Sequence, residues 1–209
     1  SKQKMNYNCY RVNYKMIIGI SGKMGCGKDY VCNNLIIPLL KKLDKCYLQL
    51  AFADQIKINA MTKSNISFDD IYTNKTTHSR KLLQREGTEL GRNVYGKDIW
   101  IKYLDNWISL YKYRGIDNFI CTDVRFLNEM EYIKQKGGII IRIISKTRNL
   151  QRLESESNGD KNIMSILQEH PSECDLDNVP DDSFDIVIQN EIGQNLDKYK
   201  DVIYSKLQQ

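Results

Sequence analysis

Two rhythms of apolar residues alternate along the chain. Apolar-rich runs occupy residues 16–20, 46–52, 118–122, 139–144 and 184–188. Runs of that length predict strands buried on both faces of a parallel sheet. Between them, apolar residues recur at helical spacing: Val31, Leu35 and Ile36; Ile56, Ala60 and Met61; Leu82, Leu83 and Leu90; Phe126, Met130 and Ile133; Leu196, Tyr199, Val202 and Ile203. Asp98 stands as N-cap to a helix carrying Trp100, Tyr103, Leu104, Trp107, Ile108 and Tyr111. Pro38 predicts a kink or early stop in the first helix, and Gly137-Gly138 ends the helix before residues 139–144. Residues 64–77 are polar and turn-like. The alternation predicts one α/β domain over residues 1–209, a three-layer fold with a parallel sheet flanked by helices.

The first strand breaks into Gly22-Lys23-Met24-Gly25-Cys26-Gly27-Lys28-Asp29-Tyr30. Gly22-x-x-x-x-Gly27-Lys28 has the spacing of a phosphate loop, with Asp29 where Ser or Thr usually follows. Glycines let successive N–H groups curl round an anion, the helix N-terminus adds its dipole, and Lys28 supplies a mobile charge. The expected ligand is a nucleoside triphosphate with Mg²⁺, the cation touching Asp29 directly or through water. Asp123 ends a predicted strand, where α/β sheets bind ligands, and is expected to orient the same metal. Arg125 lies two residues on, placed to grip a phosphate, with Glu129 one turn later to fix its guanidinium. Arg148 and Arg152, four apart, read as a phosphoryl clamp in a lid over residues 147–168 or as two solvated arginines. Arg80, Gln84 and Thr88 share a helix face beside Gly87, read either as solvated or as a recognition face within acceptor-side helices at 54–116. Asn190 opens a loop that could pack on an adenine, and His170, beside Pro171, reads as structural.

Composition narrows the setting. Apolar residues make up 41% and charged residues 27%, which suits a packed domain and not a disordered one. A net charge of +5 suits phosphate anions and nucleic acid alike, but basic residues are interspersed with acids, so stable nucleic-acid binding is not expected. Six cysteines without a C-x-x-C pair, two histidines and a polar opening stretch predict a reduced cytoplasmic protein without a zinc site or membrane span. Cys26, beside Lys28 at a helix start, is expected to have a lowered thiol pKa and to be alkylated unless ATP covers it. An inert loop-filling residue is the other reading.

Several linked stretches carry a resemblance: Gly-Cys-Gly-Lys-Asp29, Phe52-Ala-Asp54-Gln-Ile-Lys57, Leu83-Gln84-x-x-Gly87-Thr88-Glu89-x-Gly91-Arg92, Asp98-x-Trp100, Thr122-Asp-Val-Arg-Phe-x-Asn-Glu129, Gly-Gly138 and His-Pro-Ser-Glu173. Together they resemble the bacteriophage-type deoxynucleoside monophosphate kinases, over roughly residues 16–193. The resemblance implies a phosphate-loop kinase fold, phosphorylation of dNMP to dNDP by ATP with Mg²⁺, and a homodimer. Carried over by position, it implies a donor loop at residues 22–30. Asp54, Lys57, Arg80, Lys81, Gln84, Gly87, Thr88, Trp100 and Arg125 then line the acceptor site, and Asp123, Arg125 and Glu129 the reacting centre. Cys26 and Tyr30 depart from the small hydroxyl residues usual there. Animal-type phosphomevalonate kinase shares the Gly-Lys-Asp loop and a similar Ser172-Glu-Cys-x-Leu-Asp-Asn178 stretch. A regulatory NTPase switch or nucleic-acid module is the reading from another class; the loop Asn74-Lys75-Thr76-Thr77 lacks the acid a GTPase would carry.

Overall fold

The strand at the centre of the sheet is the one that feeds the phosphate loop. In a computed structural model, which describes residues 16–73 and 76–208, β1 (Met16–Ser21) lies between β3 (Asn118–Val124) and β4 (Ile139–Ile144). β2 (Leu48–Leu50) and β5 (Ile186–Gln189) lie outside them, giving the order β2-β3-β1-β4-β5 with every pairing parallel. Ile18 is level with Ile120 on one side and Ile139 on the other.

Alternation along β1 builds the layers. Ile18 and Ile20 pack with Val31, Leu35, Ile36 and Leu40, together with Ile203 and Leu207 near the end of the chain. Ile17 points the other way, into a cluster with Phe119, Leu104, Ile108, Met130 and Ile133. Helices therefore cover both faces of a sheet whose central strand is wholly buried. This is the predicted three-layer α/β architecture.

Three local expectations change. The helix over residues 28–42 neither stops nor breaks at Pro38; it passes through a π-helical turn, Cys32–Ile36, into the α-helical Ile37–Lys42. Pro38 falls just past that π-helical turn, in which the hydrogen-bond register already departs from the α-helical one. The edge strand β2 spans only Leu48–Leu50, because the Phe52 and Ala53 amides turn away to Asp123. Residues 64–77 are not all turn: Asp69–Thr73 forms a π-helical turn that buries Ile71 and stacks Tyr72 on Phe68 at 4.4 Å. Residues 74 and 75 lie outside the described residues.

Candidate active site

Glycine geometry shapes the loop after β1. Gly25 and Gly27 have φ of 74° and 90°, in the left-handed region. A Cβ on Gly25 would lie 2.5 Å from Cβ of Arg152, and one on Gly27 would lie 2.3 Å from Nδ2 of Asn190. The loop is thus pressed from above by the helix Lys146–Ser157 and from below by the residue after β5. Asn149 donates to the Met24 carbonyl at 2.7 Å and Asn190 to the Cys26 carbonyl at 2.9 Å. Lys28 Nζ donates to the carbonyls of Gly22 at 2.7 Å and Lys23 at 3.0 Å, and burial lowers its pKa.

Burial decides the fate of two loop residues. Cys26 is 1% exposed, and desolvation raises its thiol pKa more than nearby Lys28 and Arg125 lower it. The expected reactive thiolate is therefore overturned. Asn190 is 2% exposed and spent on the loop's underside, so it does not face an adenine. Tyr30, in contrast, is exposed.

Every arginine expected to hold a phosphate already has a partner. Arg125 Nη1 pairs with Glu173 Oε1 and reaches the Ser172 carbonyl at 3.3 Å. Arg80 and Arg152 share Glu156, at 2.7 and 2.5 Å, which ties the helix beginning at Thr77 to the helix Lys146–Ser157. Arg148 Nε donates to the Asn190 carbonyl at 2.9 Å. Glu129 does not fix the Arg125 guanidinium as expected. Its Oε2 instead accepts the Arg125 and Phe126 amides at 2.8 and 3.1 Å, holding the turn that aims Arg125, while Arg92 lies 3.6 Å from Oε1. Burial, then the charge of Asp123, raises Glu129 to about 8. Asp123 accepts the Phe52 and Ala53 amides at 2.9 and 3.0 Å, and desolvation raises it as well.

A cavity opens beside the loop, walled by Asp29, Asp54, Lys57, Phe68, Tyr72 and Trp107. Asp54 accepts the Ala51 amide at 2.8 Å and the Tyr72 hydroxyl at 3.1 Å. Lys57 lies 3.7 Å from Asp54 and 4.2 Å from the Tyr72 ring centre. Burial, with Asp54 next, pushes the Tyr72 hydroxyl up, so it remains a donor. Aromatic walls with a few convergent polar groups suit a planar polar ligand. Of the predicted acceptor residues, Asp54 and Lys57 line this cavity and Trp100 does not. Trp100 is buried, packs over Gly91 and donates to the Gly87 carbonyl at 2.8 Å. Gly87 is buried with it, while Lys81, Gln84 and Thr88 are exposed outside the cavity wall. Sequence reasoning missed Phe68, Tyr72 and Trp107 as wall residues; the first two lie in a stretch read as turn, and the third lies among the apolar positions of a predicted helix.

The carboxylates of Asp29 and Asp123 are hard oxygen donors of the kind that suits Mg²⁺ held mainly by phosphates and water. Among the described residues no group of three or more Asp, Glu, His or Cys forms a cage of its own.

A parallel sheet in the order β2-β3-β1-β4-β5, with a glycine loop and Lys28 where its central strand gives way to a helix, defines a phosphate-loop nucleotide-binding domain. The family model for deoxynucleotide monophosphate kinase matches residues 36–165. The chain belongs to that family and is a nucleotide kinase. A deoxynucleotide monophosphate kinase homologue assigned in Acanthamoeba polyphaga mimivirus is 26% identical over 197 aligned positions, covering 84% of this chain and 88% of the relative. Among solved structures, shikimate kinase from Acinetobacter baumannii is 16% identical with a TM-score of 0.43, covering 92% of this chain and 91% of its own. Dephospho-CoA kinase from Campylobacter jejuni is 15% identical with a TM-score of 0.44, covering 92% and 95%. The fold assignment rests on the sheet order and the loop, not on those two likenesses.

Proposed function

We propose that the chain transfers the terminal phosphoryl group of ATP to a deoxynucleoside monophosphate, releasing dNDP and ADP. The observation that carries this reading is the position of Asp29. It follows Lys28 on the loop helix and also walls the aromatic cavity, so donor phosphates and an acceptor in the cavity meet at one place. Loop amides and Lys28 hold the β- and γ-phosphates. Arg125 and Arg80 leave their carboxylates for the acceptor phosphate, and the helices over residues 147–168, with Arg148 and Arg152, close as a lid. An acceptor phosphate oxygen attacks the γ-phosphorus as the bond to the β–γ bridging oxygen breaks, and ADP departs. The attacking oxygen is already anionic, so no base has to remove a proton. Asp29 and Asp123 would hold Mg²⁺, which would supply charge neutralisation. The protein's contribution is alignment of two anions and cancellation of their repulsion.

The aromatic walls favour a nucleobase over the aliphatic acid of phosphomevalonate. A coupled ADP-release screen over all dNMPs, NMPs and phosphomevalonate tests this. Release with one or more dNMPs is expected. Release with phosphomevalonate alone, or equally without any acceptor, would overturn the proposal.

A further inference from the structure

Residues 170–181, after the helix Lys161–Glu169, bring a row of acids against the mouth of the phosphate loop. Glu173 is central and 8% exposed. Its Oε2 accepts the Met24 amide at 2.7 Å, and its Oε1 takes Arg125. Asp177 lies 2.8 Å from Lys23, and Asp175 accepts the Leu127 amide at 2.7 Å. A loop N–H and a guanidinium, both donors of the sort phosphate oxygens use, thus converge on one internal carboxylate.

The same segment has a fixed end. Arg142 on β4 donates to the carbonyls of Leu176 at 2.7 Å and Val179 at 2.8 Å, pairs with Asp181 at 2.9 Å, and lies 4.5 Å over the Phe184 ring. His170 caps the short helix Pro171–Cys174, its Nδ1 accepting the Ser172 amide at 3.2 Å. The short helix that carries Glu173 and Cys174 can therefore shift with the carboxylate while the Leu176–Asp181 end keeps its anchors. Space for it exists in a cleft between the loop and the end of β4, walled by Gly22, Ser145, Asn149 and Leu176.

We infer that Glu173 is an internal counter-ion: it holds the empty loop and Arg125 together, and polyphosphate displaces it. The inference rests on the proposed function in taking the loop and Arg125 as phosphate-binding. Its physical basis is charge. Lys28 and Arg125 repel each other across the loop mouth, Glu173 offsets that repulsion when no ligand is present, and a polyphosphate brings more negative charge to the same donors than one carboxylate carries. A carboxylate beside those phosphates would then be repelled, so the two occupy the site in turn.

Calorimetry with sodium tripolyphosphate and with ATP·Mg²⁺ on wild type and Glu173→Gln tests the competition. Gln keeps the shape and removes the charge, so binding is expected to tighten roughly tenfold, the scale of one lost charge-assisted contact. A second readout needs no variant. Cys174 is partly exposed, its Sγ directed at the carbonyls of Glu169 and His170. Its alkylation, followed by peptide mass spectrometry, is expected to speed up several-fold when tripolyphosphate is added to wild type. Equal or weaker binding by Glu173→Gln, or Cys174 labelling that is unchanged or slowed, overturns the inference. If the variant fails to fold, Cys174 labelling in wild type decides alone. Wild-type binding of ATP with no gain in the variant removes only this inference; absence of ATP binding in both removes the proposed function as well.

Discussion

The phosphate loop and the aromatic cavity share Asp29 but are built on opposite principles. The loop is held by polar contacts from distant parts of the chain: Asn149 on the Met24 carbonyl, Asn190 on the Cys26 carbonyl, Glu173 on the Met24 amide. The cavity is walled by rings, with Phe68 stacked on Tyr72 and a small knot of Asp54, Lys57 and the Tyr72 hydroxyl. A surface made of main-chain donors fits a group that is the same in every ligand, as phosphate is. A surface made of side-chain rings varies with each substitution and suits selection among bases. Under the proposed function, affinity for phosphate would lie in the backbone and choice of acceptor in the side chains.

The largest effect should come from the loop. Lys28→Ala is expected to lower kcat by on the order of 10²–10³-fold, about 3–4 kcal/mol, as when a preorganised charge contact is lost. Coupled assays read the loss, and far-UV circular dichroism should stay unchanged; near-wild-type turnover would break the assignment. Next, Trp100→Phe removes the donor to the buried Gly87 carbonyl, costing about 1–3 kcal/mol of stability. Thermal melting should show the loss while KM for the dNMP holds. A raised KM would return Trp100 to the acceptor site and blur the contrast.

Phe68→Ala should behave in the opposite way. Phe68 is 61% exposed, so the melt should barely move, while acceptor affinity falls by about 1 kcal/mol with the lost ring contact. Unchanged KM for every dNMP would move the base elsewhere. A further test concerns pH. Glu129 is raised from 4.5 to about 8 by burial and Asp123. The native state therefore holds a proton that the unfolded chain has released, and stability should fall as pH rises from about 4.5 through about 8. Glu129→Gln should flatten that slope in melts between pH 5 and pH 9; an unaltered slope would assign the titration to another group.

Much of the fold was legible because its signals are local. Residues 16–28 carry strand, turn and helix start within a few positions, and β3 and β4 are rich in apolar residues. The π-helical turn at Asp69–Thr73 was hidden because its sequence is mostly polar and only Ile71 is fully buried. Trp100 illustrates the reverse: the resemblance placed it in the acceptor site, whereas its indole fills the space left by Gly91. For Cys26 two physical effects competed, a neighbouring cation against burial, and only packing shows that burial wins. Glu173 lies in a stretch that carries the resemblance, but its partner could not be read, since the contact with Met24 crosses 149 positions and no local pattern records that distance.

The grip of Asn190 on the Cys26 carbonyl spans 164 positions, and it has a consequence for synthesis. Contacts between such remote stretches form late, after the entropy of closing a very long loop has been met. While the ribosome has yet to release β5, the cradle lacks the residue that supports it from beneath. A nascent chain should therefore gain its hold on nucleotide only near the close of translation, and nucleotide in the cell should act on the last stages of folding.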